Sequence, residues 1–379
     1  MKAMARASIT LNPQWRPGGG LDDSRVDLVD AYHRSIPGFR PTPLIEQHAL
    51  ADVLDCSRVF VKHESERLGL PSFKIVGASW AINCAIAGRL GFELPRSFAE
   101  TIALVAGTAE DMTLTAATDG NHGRAVAHIG RLLNLPARIY VPKGMAPSRV
   151  SAIVDEGAEV VVVNGSYDET VRAAASEANE DATYVLVSDT SWPGYEEVPL
   201  RVVEGYSTIF REASRQLREA GQSSVDVAFI PAGVGALATA AVNALNDREG
   251  AVVTVEPCAA DCLRRSIEAG TRVTVPGPHK SVMAGLNCGE VSYAAWTTLR
   301  NGVRASVAVT DDESIAAVRM LAALGIRSGA SGAAALAGAI ALTQSNHRQA
   351  IYGGKRSGVT LLLNSEGVTD PERYAAMVD

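Results

Sequence analysis

From about residue 58 to the end of the chain, short apolar runs alternate with longer runs whose apolar residues recur every three to four positions. RVFVKHE, LTAAT, ARIYVP, AEVVVV, TYVLVS, VDVAFIP, AVVTVEP and GVTLLLN read as strands. VGASWAINCAIAG, HGRAVAHIGRLLN, PSRVSAIVDEG, SYDETVRAAASEAN, LRVVEGYSTIFREASRQLREAG, ALATAAVNALN, CLRRSIEAG, DDESIAAVRMLAALG and SGAAALAGAIALT read as helices. Strands this apolar need cover on both faces, which a parallel sheet flanked by helices supplies. The expectation is an α/β chain of two domains, each with a mainly parallel twisted sheet flanked by helices. The Pro/Gly-containing break SWPGYEEVP, residues 191–199, separates the two.

Composition removes several function classes. The chain has 379 residues, 47% hydrophobic and 20% charged, which is enough for a large core. A net charge of −7 without blocks of like charge argues against nucleic acid or an anionic membrane as partner. No apolar run nears the roughly 18 residues of a membrane span, and MKAMARASITLNPQW lacks a signal-peptide core, so a cytoplasmic location is expected. Five cysteines, an odd number, do not form a disulfide framework. Cys258 and Cys262 lie one helical turn apart without a second pair at zinc spacing, so no metal site is expected. A Cys262–Cys288 bridge is conceivable, but a reducing compartment does not favour it.

In open α/β sheets, ligands collect beyond the carboxyl ends of the strands. At the first such junction, PSFKIVGAS places Lys74 where a helix begins. Free N–H groups there disfavour a cation, so Lys74 is either a snorkelling surface residue or a nucleophilic amine held uncharged. At PAGVGALATA, Gly233 and Gly235 allow backbone N–H groups to cradle a phosphate, or simply form a tight turn. Gly233, Gly235 and Ala238 also fit G-x-G-x-x-A, with Glu256 about twenty residues on, the pattern of a dinucleotide site and a nicotinamide-dependent oxidoreductase. That reading leaves Lys74 without a role. The junction ATDGNHGRAVA groups Thr118, Asp119, Gly120, Asn121 and His122. Its N–H groups suit a substrate carboxylate, Asn121 a ring oxygen and Asp119 a base. Capping accounts for one of the five, and His122 alone reads as structural.

SFKIVGA, ATDGNHGRAVA and AGVGALA together resemble the fold-type II pyridoxal phosphate enzymes of the threonine and serine dehydratase group. IPGFRPTPLIE, GSYDETV, SDTSWPGY, MAGLNCGE and NSEGVTDPERY narrow the likeness to the diaminopropionate ammonia-lyases, from about residue 37 onward. The resemblance implies a large cofactor-binding domain of residues 1–80 and 200–379, a small domain of 81–199, and a site in the cleft between them. It implies that Lys74 carries pyridoxal 5'-phosphate as a Schiff base. Gly233, Val234, Gly235, Ala236 and Leu237 would hold the phosphate, Asn121 the ring oxygen and Ser365 the ring nitrogen, with Phe73 against the ring. Ser72, Thr118, Asp119, Gly120, Tyr167 and Asp189 would surround a small amino-acid substrate, with Lys74 and Asp119 as catalytic bases for opposite enantiomers. A homodimer is implied as well.

Two positions depart from the family pattern. Ala330 and Pro193 stand where glutamates are common, with Glu196 as a candidate substitute. The reading that follows is elimination of ammonia from 2,3-diaminopropionate. A serine/threonine dehydratase with the same cofactor is the alternative, the nicotinamide oxidoreductase is the rival from another class, and a non-catalytic binding module leaves the polar junctions unexplained.

Overall fold

The computed structural model describes residues 7–16, 23–245, 250–353 and 358–379. Its strands are β1 (Ser8–Leu11), β2 (Leu44–Glu46), β3 (Arg58–His63), β4 (Thr113–Ala117), β5 (Ala137–Pro142), β6 (Glu159–Val163), β7 (Tyr184–Leu186), β8 (Val227–Pro231), β9 (Ala251–Pro257), β10 (Val303–Val309) and β11 (Val359–Asn364). They form a seven-stranded sheet, ordered β1-β10-β9-β8-β11-β3-β2, and a four-stranded sheet, ordered β6-β5-β4-β7. Every pairing is parallel except the two edges of the larger sheet, where β1 and β2 run antiparallel to their neighbours.

Two compact units carry these sheets. The first comprises Met1–Leu21, Pro41–Glu66 and Ile209–Asp379 and holds the seven strands. In it β8, β9 and β11 are buried along their whole length, because helices cover both faces and leave no solvent side for polar residues. The second comprises Asp22–Arg40 and Arg67–Thr208 and holds the four strands. The sequence reading divided the chain at 80/81 and 199/200; the compact units divide at 21/22, 40/41, 66/67 and 208/209, the last inside the helix Glu197–Glu219.

The packing inside the second unit explains why Lys74 and residues 200–208 belong to it. A Cβ on Gly77, in the helix Lys74–Leu90, would stand 2.3 Å from the Tyr206 ring, and one on Gly205 would stand 2.4 Å from the Val76 carbonyl oxygen. These two glycines let the helices approach backbone to backbone. His33 closes the same contact. Its Nε2 donates to Val76 O at 2.8 Å, since a carbonyl can only accept, and its Nδ1 accepts from the Thr208 hydroxyl at 2.7 Å. Burial lowers the His33 pKa to about 3, so the ring stays neutral. Among the described residues, no helix is long and apolar enough to cross a membrane.

Candidate active site

Lys74 is the first residue of its helix, with Phe73 at the N-cap and no acidic side chain in the first turn. Nothing local offsets a cation among those free N–H groups. The offset comes from 115 positions away, where Asp189, three residues beyond β7, accepts from Lys74 Nζ at 2.5 Å. The Tyr167 hydroxyl donates to the other carboxylate oxygen at 3.4 Å, and His122 Nδ1 stands 4.0 Å from the first. Lys74 Nζ lies 5.3 Å above the Phe73 ring, which meets Tyr206 edge-on at 4.8 Å. The structure thus presents Lys74 in an ion pair, whereas its helix position suggests a snorkelling surface residue or an amine held uncharged; the buried carboxylate of Asp189 favours the ammonium.

Burial by itself would raise the Asp189 pKa. The positive charge of Lys74, the nearby His122 ring and the hydrogen bonds from Lys74 and Tyr167 outweigh it and bring the carboxyl down to about 2. Asp119 goes the other way. It keeps some contact with solvent but is enclosed by enough protein that burial raises its pKa to about 7, opposed by Arg149 and reinforced by Asp189. Arg149 also donates to the Asp119 carbonyl at 3.1 Å. Two carboxyls of one unit are therefore driven apart, one held ionised at neutral pH and one raised toward neutrality.

The loop between β4 and the helix Asn121–Leu133 is tied to itself. Thr118 Oγ1 accepts from Gly120 N and Gly123 N, both at 2.9 Å, so two of the N–H groups expected to face a substrate are already taken. Gly120 has φ +138°, a conformation that favours glycine, and Asn121 opens the helix. His122 Nε2 donates to Val187 O at 2.7 Å, and burial lowers the ring's pKa, in keeping with a structural histidine. Ser72 is buried beside Phe73.

The remaining expected residues lie in the other unit. Gly233, Val234 and Gly235 join β8 to the helix Ala236–Leu245, which begins with Ala236 and Leu237. A Cβ on Gly233 would stand 3.0 Å from Cys288 Sγ, and Gly235 adopts φ +97° with Leu299 Cδ1 2.5 Å from its missing Cβ. Only glycine suits both positions, and the backbone N–H groups at the helix start suit a phosphate. Ser365 is buried at the carboxyl end of β11, a hydroxyl rather than a carboxylate for a ring nitrogen. Taken unit by unit, the lysine amine has the chemistry for an aldehyde, and in the other unit the glycine-lined helix start has the chemistry for a phosphate.

Glu256 overturns the dinucleotide reading. It is fully buried, and its two oxygens accept from Leu263 N and Arg264 N at 2.8 Å, at the start of the helix Cys262–Ala269, while Ser306 donates at 3.1 Å. Burial raises its pKa to about 8. A carboxyl so engaged has no face for ribose hydroxyls. Glu196 bonds Gly194 N in its own turn at 3.1 Å. The acid beside Ala330 is Glu366, whose Oε1 would lie 2.6 Å from a Cβ on Gly329. Sequence reasoning missed Glu366, Arg149 and Tyr206. None of the five cysteines is in a disulfide, so Cys262 and Cys288 are not bridged.

The family model described as pyridoxal-phosphate dependent enzyme matches residues 36–361. The chain belongs to this family. Within it, the chain is 35% identical over 370 residues to diaminopropionate ammonia-lyase of Escherichia coli strain K12, covering 94% of this chain and 92% of that protein. It also matches the crystal structure of the Escherichia coli enzyme in complex with an aminoacrylate-PLP azomethine reaction intermediate, with a TM-score of 0.87, 32% identity, and coverage of 98% of this chain and 97% of that one. A Bos taurus L-serine dehydratase/L-threonine deaminase is 30% identical over 202 residues, 52% of this chain and 58% of that protein. The fold is that of the fold-type II pyridoxal phosphate enzymes, and the protein is a pyridoxal phosphate-dependent lyase.

Proposed function

We propose that the protein eliminates ammonia from 2,3-diaminopropionate, yielding with one water a pyruvate and a second ammonia. Lys74 would hold the aldehyde end of pyridoxal 5'-phosphate, Gly233–Leu237 the phosphate, Asn121 the ring oxygen and Ser365 the ring nitrogen, with Phe73 against the ring. Bound there, the cofactor supplies an electron sink for negative charge at the substrate's α-carbon. The chain's own residues do the rest. Lys74 removes the α-proton from one face and Asp119 from the other. An Asp119 pKa of about 7 suits a base that accepts the proton and releases it again at neutral pH. Asp189, ionised throughout, attracts the cationic β-amine, with Tyr167 fixing one of its oxygens. Ser72, Thr118 and Gly120 line the approach.

The observation that carries this reading is the ion pair of Lys74 with Asp189 at 2.5 Å, in the same unit as a second enclosed carboxyl, Asp119. A serine or threonine substrate brings no second amine for Asp189 to hold. An assay of pyruvate and ammonia on D- and L-diaminopropionate, L-serine and L-threonine tests the proposal. Turnover of the diamines well above the hydroxy amino acids is expected, with Asp119→Asn impairing the D-isomer far more than the L-isomer. Faster turnover of L-serine or L-threonine would replace it with a dehydratase. The reading further expects a homodimer, checked by light scattering, in the cytoplasm.

A further inference from the structure

β7 is the outer strand of the four-stranded sheet and only three residues long, so its ladder with β4 ends just before Asp189. On the inner side, Val187 N still donates to Thr115 O at 2.8 Å, and Val187 O accepts from His122. On the outer side no strand pairs with it among the described residues, and one phenol bonds there instead. Tyr195 donates its hydroxyl proton to Leu186 O at 2.7 Å and accepts from Ser188 N at 3.1 Å. Burial pushes this phenol well above its ordinary pKa, so it keeps the proton it must donate. The turn that returns Tyr195 to this edge has Gly194 at φ +91° and a bridge from Trp192 to Tyr195, whose rings stack at 4.6 Å and 17°. Tyr195 also lines a cavity of about 300 Å³ together with Cys84, Arg89, Tyr184 and Arg201.

We propose that Tyr195 is a positioning residue for Asp189, fixing through the backbone of Leu186 and Ser188 where the carboxylate stands against Lys74. A phenylalanine at 195 keeps the stacked ring but loses both bonds, and the segment from 186 to 189 is then held from one side only. The inference rests on Lys74 being the cofactor lysine.

The test uses the holoenzyme and four variants: Lys74→Ala, Asp189→Asn, Tyr195→Phe and the double Asp189→Asn/Tyr195→Phe. Two quantities are read: kcat and KM on diaminopropionate, and the pH at which the visible absorbance of the bound cofactor titrates. That titration depends on the charges facing Lys74, namely Asp189, Asp119, His122 and the phenols of Tyr167 and Tyr206. Tyr195→Phe is expected to lower kcat about tenfold and to move the titration in the same direction as Asp189→Asn. The double variant should fall no further than Asp189→Asn alone, since the two act on one group. An unmoved titration, or losses that multiply, would overturn the proposal even if the thermal midpoint drops. Should Tyr195→Phe not fold, Trp192→Phe loosens the ring while keeping the hydroxyl, and a smaller shift of the same sign is required of it. A visible band that survives Lys74→Ala would instead sink the assignment of Lys74 itself.

Discussion

Each unit of the molecule contains a lysine bound to a carboxylate, and the two arrangements differ in enclosure. Lys62 and Glu212 are both wholly without solvent exposure and 2.8 Å apart. Lys62 Nζ also bonds Thr42 O at 2.8 Å and Gln216 Oε1 at 3.0 Å, so its three protons each have an acceptor. Thr42 in turn donates to buried Glu64 at 2.6 Å. Lys74 and Asp189 are 2.5 Å apart, yet the lysine side chain is 19% exposed and the carboxylate 7%. The charge chemistry is the same in both, but a small molecule can reach only one of the amines. A sealed lysine holds strands and helix together, while a partly open one at a helix start is available to an aldehyde.

The sharpest break between the two comes from deleting each amine. Lys74→Ala should reduce turnover on the order of 10⁴-fold and abolish the visible cofactor band, with a smaller drop in the denaturant midpoint than Lys62→Met, because Asp189 is not fully sealed and keeps Tyr167. Lys62→Met should do the reverse. It strands a buried carboxylate and should cost about 3–5 kcal/mol of stability, while the molecules that stay folded keep their kcat. Replacing both partners, Lys62→Met with Glu212→Leu, should return most of that loss, because a packed apolar pair can stand in for a buried ion pair. A Lys62→Met protein of normal stability and low kcat would erase the distinction.

Gly235→Ala sharpens it from the other unit. At φ +97°, with Leu299 2.5 Å from the new methyl, the loop must shift. A cost of about 1–3 kcal/mol is expected, measured as weaker retention of pyridoxal phosphate on dialysis with Lys74 chemistry otherwise intact.

The smallest effect is on the pH dependence of stability, through Asp119. Its folded pKa of about 7 lies above the ordinary 3.8, so between those values the native chain holds a proton that the unfolded chain has lost. Its contribution to stability is therefore fully present below pH 3.8 and is lost as pH rises toward 7. Urea midpoints measured across that range should fall less steeply in Asp119→Asn. Turnover of the D-isomer should rise through an apparent pKa near 7, and an Asp119→Asn profile with the same rise would assign the titration elsewhere.

The strands legible in the sequence were β3 to β9 and β11, apolar-rich runs alternating with helices, whether buried along their length, as β8, β9 and β11 are, or half-exposed, as β6 is. β1 and β2 escaped because they are short edge strands, and β10 because Arg304 and Ser306 interrupt its apolar run. Lys74, Asp119 and the glycine loop were legible because each stands at a strand-to-helix junction. The pairing of Lys74 with Asp189 was not, since no local pattern links positions 115 apart. Glu256 misled for a physical reason. An acid at the end of a strand can bind a ribose or cap the next helix, and only its burial and its two backbone donors separate these uses.

The account stands or falls on which amine meets the cofactor's aldehyde. Reducing the purified holoenzyme with borohydride and mapping its peptides reads that directly. The account requires the pyridoxyl phosphate label on Lys74, within PSFK. Label on Lys62, Lys143 or Lys280, or no label on a protein that still releases ammonia from diaminopropionate, would contradict it.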